Sequence, residues 1–420
     1  MIPAPAPVEP FLDPAKALAC VHCGLCLGSC PTYLETGNEN DSPRGRIHIM
    51  RAVQDGRLAL DATTTRHIDL CLGCRACESA CPSGVQYGAL LEHTRDHIEK
   101  HHRRPVIERL WRWSIETIFP RPRLMRWTLA APRLLRALGL TRLLPHTMRE
   151  AVEMLPPPQH ATAIPPYSPA QGESRQCVGF VTGCVMQVLF QETNHASVRL
   201  LNRAGCDVVT PQAQGCCGAL FAHSGNLDAA RDCARRNIAA FESTALDSII
   251  INAAGCGSML KEYGALLEDD PVWRDRAAAF SRRVKDLVEC LDAAPCSLAP
   301  TNIKVTYHDA CHLAHAQKIV ATPRRLIQRM PGAELVEMAE ADLCCGSAGS
   351  YNLTEPEMAA RLQHRKCANI LATGVEVVLT SNPGCILQIQ AGLKKAGAGH
   401  IRVQHIADFL DAHSTLTEHG

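Results

Sequence analysis

The chain has 420 residues, 43 Lys plus Arg against 42 Asp plus Glu, and 22 cysteines in an otherwise ordinary apolar composition. That length allows two or three domains, the balanced charge leaves no footprint for nucleic acid, and no uninterrupted apolar run reaches the ~18 residues of a membrane-spanning helix. The opening residues Met1 to Pro10 have neither the basic nor the apolar region of a signal peptide, so a reducing, cytoplasmic compartment is expected and the cysteines point to metal binding rather than to disulfides.

Residues 1–100 hold eight cysteines in two identical runs, Cys20-x2-Cys23-x2-Cys26-x3-Cys30-Pro31 and Cys71-x2-Cys74-x2-Cys77-x3-Cys81-Pro82. This is the ferredoxin-type run, present twice. Three thiolates two residues apart on a curled backbone can cap three irons of one cube, and the loop amides can point at its sulfides. The proline carries the fourth cysteine away to the other cube. Cys20, Cys23, Cys26 and Cys81 are therefore expected to hold one [4Fe–4S] cluster, and Cys71, Cys74, Cys77 and Cys30 the second. Zinc is disfavoured, because its ribbons use two C-x2-C pairs and not this run twice. The 40 residues between Cys30 and Cys71 look helical at Ile47–Val53 and Thr65–Leu70, as in the helical two-cluster ferredoxin domains of respiratory complexes. Arg44 and Arg46 in this insertion read equally as surface charge or as contacts to a cluster or partner; positive charge beside a cube favours its reduced state. His22 reads as a structural side chain rather than a ligand.

Residues 101–170 form a basic helical segment followed by a Pro-rich linker. Eleven arginines between His101 and Arg149 face only Glu108 and Glu116, and Trp111, Trp113 and Trp127 stand among them. A basic amphipathic stretch with Trp suits an anionic membrane surface; the plainer expectation is a helical hairpin with its arginines in water. Six prolines within residues 155–170 read as a stiff connection.

Residues 175–300 and 301–420 are two copies of one domain. Cys184, Cys216-Cys217-Gly218 and Cys256 recur as Cys311, Cys344-Cys345-Gly346 and Cys385, at offsets of 127, 128 and 129. The flanks Val178 to Cys184 and Val305 to Cys311 match as well. Buried parallel strands are expected at Ser248–Ile251 and Val375–Leu379, and helices at Leu227–Phe241 and Pro356–Leu371. The fold class is thus α/β, a duplicated α/β cysteine-rich unit behind a helical two-[4Fe–4S] domain. The paired cysteines fall in strand-to-helix loops at one edge of each sheet. Cys184, Cys216, Cys217 and Cys256 form one candidate tetrad and Cys311, Cys344, Cys345 and Cys385 the other, for a further iron–sulfur cluster or as redox thiols. The glycines permit close approach or positive φ beside an inorganic group. Cys177, Cys206, Cys233, Cys290, Cys296 and Cys367 have no repeated spacing and read mostly as core. His308, His312 and His315 flank Cys311 and are as readily supporting groups as catalysts. No G-x-G-x-x-G follows a strand and no phosphate-binding P-loop occurs.

The Cys-Cys-Gly repeats resemble the cysteine-rich domains shared by heterodisulfide reductase, anaerobic glycerol-3-phosphate dehydrogenase, lactate-utilisation proteins and glycolate oxidase. With the two ferredoxin runs, and with Cys20 to Tyr33 and Ser42 to Ile47 in particular, the chain resembles the iron–sulfur subunits of glycolate oxidases over nearly its whole length. The resemblance implies FAD-containing partner subunits that oxidise glycolate to glyoxylate, and electrons passing through this chain to a quinone or the respiratory chain at the inner face of the membrane. A 2-hydroxy-acid dehydrogenase needs a flavin or nicotinamide for the hydride, so that step is expected on the partner. Alternatives are the matching subunit of a glycerol-3-phosphate or lactate dehydrogenase, a thiol–disulfide reductase, or an assembly scaffold. The repeats depart from the heterodisulfide reductase pattern at Cys256-Gly-Ser-Met259 and Cys385-Ile-Leu-Gln388, where a final cysteine is missing; disulfide-reducing chemistry is correspondingly weakened.

Overall fold

The computed structural model describes residues 10–144, 149, 152–159, 162–294 and 298–414. Cys296 and residues 1–9 lie outside that set. The first hundred residues are helical. Pro43–Gln54 starts where Ser42 accepts a hydrogen bond from the Gly45 N–H at 3.0 Å and Pro43 presets the first turn. Its buried Ile47, Met50 and Val53 repeat every three residues and meet the buried Leu90, Leu91 and Ile98 of helix Tyr87–His101. Helix Ala62–Asp69 completes this small core.

Helices Val106–Ile118 and Pro122–Ala137 follow as the expected hairpin. Its inner face buries Ile115 and Met125, and Glu116 accepts hydrogen bonds from Ser224 at 2.7 Å and Asn226 at 2.9 Å. The wet face is not purely charged. It carries apolar side chains among its arginines: Ile107 is 83 % exposed, Trp113 62 % and Trp127 80 %.

Two sheets follow. Strands β1 (Tyr167–Ser168), β2 (Gln176–Val181), β3 (Cys206–Val209), β4 (Ser248–Ile251) and β5 (Val284–Asp286) lie in the order β1-β3-β2-β4-β5. Strands β6 (Lys304–Tyr307), β7 (Glu334–Leu335), β8 (Val377–Thr380) and β9 (Arg402–His405) lie in the order β7-β6-β8-β9. Omitting β1, the two orders coincide, as a duplication requires. The predicted helices occur as Leu227–Glu242 and Pro356–Leu371. β1 departs from an all-parallel sheet. It comes from the Pro-rich stretch and runs antiparallel to β3, with the Thr210 N–H bonded to the Pro166 carbonyl at 2.8 Å. Prolines are tolerated there because an edge strand leaves one row of backbone groups free.

The repeats share one continuous core and exchange their closing helices. Leu287–Asp292 of the first packs on Ala321–Gln328 of the second, and Ile406–His413 of the second packs on Gln191–Arg203 of the first. Asp292 pairs with Arg329 at 2.7 Å; Asp408 accepts from Thr193 at 2.9 Å and Asp411 from Arg203 at 2.6 Å.

Candidate metal centres

The two ferredoxin runs share a backbone device. His22 and Gly24 flank Cys23 with φ of 55° and 86°, and Gly73 and Arg75 flank Cys74 with φ of 64° and 63°. A left-handed residue on each side of the middle cysteine curls the loop into a concavity lined by amides. His22 thus serves as a turn residue, its carbonyl accepting from Arg44 at 3.0 Å. Cys30 caps helix Pro31–Thr36, whose first residue is the proline of the motif, which explains how the fourth thiol is turned away from its own run.

The second run is buried. Cys71, Cys74 and Cys77 meet Cys30 around a small cavity that Arg46, Tyr87 and Thr32 also line. A zinc ion at ~2.3 Å would draw four sulfurs into mutual contact; a void among them fits a polynuclear cluster. The first run is more open: Cys23 is exposed, while Cys20, Cys26 and Cys81 border the same small helical core.

Arg46 is fully buried, donating to the His67 carbonyl at 2.7 Å and to Thr32 Oγ1 at 3.0 Å. Burial works against its charge, but Cys71, Tyr87, Cys30 and Asp41 together hold its pKa above the ordinary value. Arg95 donates to the Cys71 carbonyl at 2.6 Å. Burial likewise opposes ionisation of Cys71. Arg46 and Arg95 outweigh it and, with the Tyr87 hydroxyl at 3.5 Å and the Gly73 N–H at 3.4 Å, hold this thiol below its usual range. Burial and then neighbouring thiols push Cys74 and Cys77 up, so they yield their protons to a cation rather than to water. Arg44 is half-buried and paired with Glu39 at 2.7 Å. Of the two arginines, Arg46 is the one in the cavity wall.

In the first repeat Cys184 Sγ lies 3.6 Å from Cys216 Sγ. Cys216 also touches Cys217 and Cys233, and Cys217 touches Cys256. Thiol donors from Cys184, Cys217 and Cys233, with the Gly218 N–H at 3.4 Å, hold Cys216 well below the ordinary range. Sequence reasoning missed Cys233. It comes from helix Leu227–Glu242, and the matching position of the second repeat is Leu362, so no repeated spacing marks it. The same helix explains the glycines. A Cβ on Gly218 would meet Ala230 and Cys233, and one on Gly346 would lie 2.6 Å from the Ala359 carbonyl, with φ of 90° and 87°. They let the loop approach that helix closely.

In the second repeat Cys311, Cys344, Cys345 and Cys385 form a buried chain of neighbouring thiols. This chain abuts the second ferredoxin run. Cys74, Cys311 and Cys344 share one apolar cluster with Leu70, Leu72, Tyr351 and Leu362, and the Tyr351 hydroxyl donates to the Leu70 carbonyl at 2.8 Å. The remaining histidines knit the domains together: His315 meets Ser79 at 3.0 Å and the Asp342 carbonyl at 3.1 Å, and His312 stacks on His223 at 5.0 Å. A cleft lies where both repeats, the helical domain and helix Val106–Ile118 converge, with Cys71, Arg95, Arg112, His223 and Glu355 in its wall. Cys206, Cys290 and Cys367 are core residues, whereas Cys177 is half-buried.

Soft thiolate donors gathered around a cavity, curled amide-lined loops and an apolar bridge to a second thiol nest define an iron–sulfur electron carrier. The family model of the 4Fe-4S dicluster domain matches residues 16–85, and that of the CCG cysteine-rich domain matches residues 178–261 and 305–390. The chain is 43 % identical to the probable glycolate oxidase iron-sulfur subunit of Bacillus subtilis, covering 95 % of this chain and 94 % of that one. It is 34 % identical to the glycolate oxidase iron-sulfur subunit of Escherichia coli, covering 94 % and 93 %, and 28 % identical to a fumarate reductase (CoM/CoB) subunit of Methanothermobacter marburgensis, covering 96 % and 73 %. The crystal structure of a hypothetical protein from Helicobacter pylori shares the fold at a TM-score of 0.56 and 9 % identity, covering 92 % and 70 %. The chain belongs to the glycolate oxidase iron–sulfur subunit family.

Proposed function

We propose that the chain is the electron-transfer subunit of a glycolate-oxidising complex. It takes electrons from an FAD-containing partner that converts glycolate to glyoxylate and passes them toward the respiratory chain. The observation that carries this reading is the contact between two thiol nests: the cavity of Cys30, Cys71, Cys74 and Cys77 lies against Cys311 and Cys344 across an apolar shell. The two [4Fe–4S] clusters would be held by Cys20, Cys23, Cys26 and Cys81, and by Cys30, Cys71, Cys74 and Cys77. When bound they supply one-electron carriage, which couples a two-electron flavin to an acceptor of either kind.

The chain's own residues set the conditions. Arg46 and Arg95 place buried positive charge beside the second nest, which favours the reduced state. Leu70, Leu72, Tyr351 and Leu362 keep water from the shared boundary. The tetrads Cys184, Cys216, Cys217, Cys256 and Cys311, Cys344, Cys345, Cys385 offer sites for further iron.

A quinone acceptor at a membrane surface fits the hairpin. Among the described residues no helix is long and apolar enough to cross a membrane. Helix Val106–Ile118 nevertheless exposes Ile107, Leu110 and Trp113 on one side and lines the cavity beside Cys71 with Arg112 and Ile115 on the other. Replacing Trp111, Trp113 and Trp127 by Ser is expected to weaken sedimentation with anionic vesicles at least tenfold; unchanged sedimentation removes the membrane contact. For the relay, Cys74→Ser in the intact complex is expected to abolish glycolate-dependent dye reduction. A normal rate would sink the assignment of that nest to the electron path.

A further inference from the structure

His308 is a fully buried polar side chain of the second repeat. It sits directly after β6, with its N–H bonded to the Leu379 carbonyl at 2.8 Å. Neither ring nitrogen makes a well-formed hydrogen bond; the Ala341 carbonyl is the one polar backbone group facing the ring. An imidazole stripped of water and left under-satisfied is costly, and a bound group on the ring would offset that cost. The neighbours name it. A ring nitrogen of His308 and the sulfurs of Cys345 and Cys385 all lie within 4.8 Å of one another, and all three residues are buried.

We propose that His308 is a metal ligand, the nitrogen donor of an iron–sulfur cluster held in the second repeat with Cys311, Cys344, Cys345 and Cys385. Five donors in one nest exceed the four that a structural zinc ion takes, which favours a polynuclear centre. The backbone also fixes the ring in place: the Asp309 N–H bonds to the Ala341 carbonyl at 3.1 Å, just before Cys344. The first repeat is built differently. Val181 stands where His308 would be, and Cys233 adds a fifth thiol beside Cys216. The two nests therefore differ in kind, all sulfur in one and mixed nitrogen and sulfur in the other. Histidine in place of cysteine raises a cluster's potential, so the second nest is the more easily reduced.

The proposal rests on the second repeat carrying iron, and its test separates it from the relay. The complex is isolated without oxygen from cells grown on ordinary or 15N-labelled histidine. Iron and zinc are counted, and pulsed EPR is recorded on each paramagnetic state. Iron beyond about eight per chain, the content of two four-iron clusters, is expected. One signal should carry a nitrogen coupling that changes with the label and is lost in His308→Ala. His308→Cys, which keeps a donor, should retain the iron, lose the coupling and move the signal to lower potential. Iron at about eight, zinc in its place, no label-sensitive coupling in the unaltered protein, or a coupling that survives both substitutions would each overturn the assignment. The Cys74→Ser result stands apart from all of these, because it reads the ferredoxin-run nest of Cys30, Cys71, Cys74 and Cys77 and not the nest of the second repeat.

Discussion

Arg46→Gln isolates the electrostatic role of the buried guanidinium. The substitution removes a full positive charge from the wall around Cys30, Cys71, Cys74 and Cys77, while Asp41 keeps its partner in His67 Nδ1 at 2.7 Å. A unit charge about 7 Å from a cluster contributes about 2.4 kcal/mol at an effective permittivity of ~20, which is about 100 mV for a one-electron couple at 59 mV per tenfold. Reduction adds negative charge, so loss of the arginine disfavours the reduced state and lowers the potential. An EPR-monitored redox titration of the intact complex should find the second-run signal shifted down by roughly that amount, with the first-run signal shifted less. Arg46→Lys should restore most of the shift, though not the paired contacts to His67 and Thr32. A second-run potential within about 20 mV of the unaltered protein, with full iron content, would refute the reasoning; it would mean that the surroundings screen the charge far more than an effective permittivity of ~20 allows.

Gly346→Ala puts a Cβ 2.6 Å from the Ala359 carbonyl at a left-handed position, and a loss of about 3 kcal/mol is expected. Gly218→Ala, with its nearest contact at 3.2 Å, should lower the thermal midpoint less; the reverse order contradicts the packing account. Asp286 tests the pH dependence. Burial pushes its carboxyl up to about 7, and one of its oxygens has no partner, against ~3.9 for an unfolded aspartate. The folded state therefore holds the proton between those values, and stability falls as pH rises from about 4 to about 7. Asp286→Asn should flatten that slope, gaining at most on the order of 4 kcal/mol relative to the native residue at pH 8 and little at pH 4, since the amide oxygen can still accept from the Val288 N–H. An equal change in thermal midpoint at both pH values would remove Asp286 as the cause.

The features legible in the sequence are those whose meaning is local. The two cysteine runs announce their loops because ligand spacing and curl are fixed within eleven residues, and the structure adds only the left-handed pairs flanking Cys23 and Cys74. The duplication is equally plain, since three landmarks keep nearly one offset. What escapes depends on distant chain. Cys233 joins its nest across a helix whose twin carries Leu362. His308 acquires its place only when Cys345 and Cys385 arrive from two later loops. Arg46 looks like any surface arginine until helix Pro43–Gln54 turns it beneath Thr32 and His67. Composition gives the number of the hairpin's arginines but not their direction, so the apolar side chains on its wet face stay hidden. β1 hides inside a proline-rich stretch because a two-residue edge strand has no periodicity to detect.

The exchanged closing helices also set the order of events in biosynthesis. Gln191–Arg203 receives its cover from Ile406–His413, with Thr193 and Asp408 separated by 215 residues. At ≈ 5–20 residues per second, the first repeat waits roughly 10 s or more after its own strands have emerged before that cover arrives. The helical domain closes its small core from residues already made. Iron delivery to the ferredoxin runs can thus begin on the ribosome, whereas the outer face of helix Gln191–Arg203 is covered only after the second repeat has been synthesised.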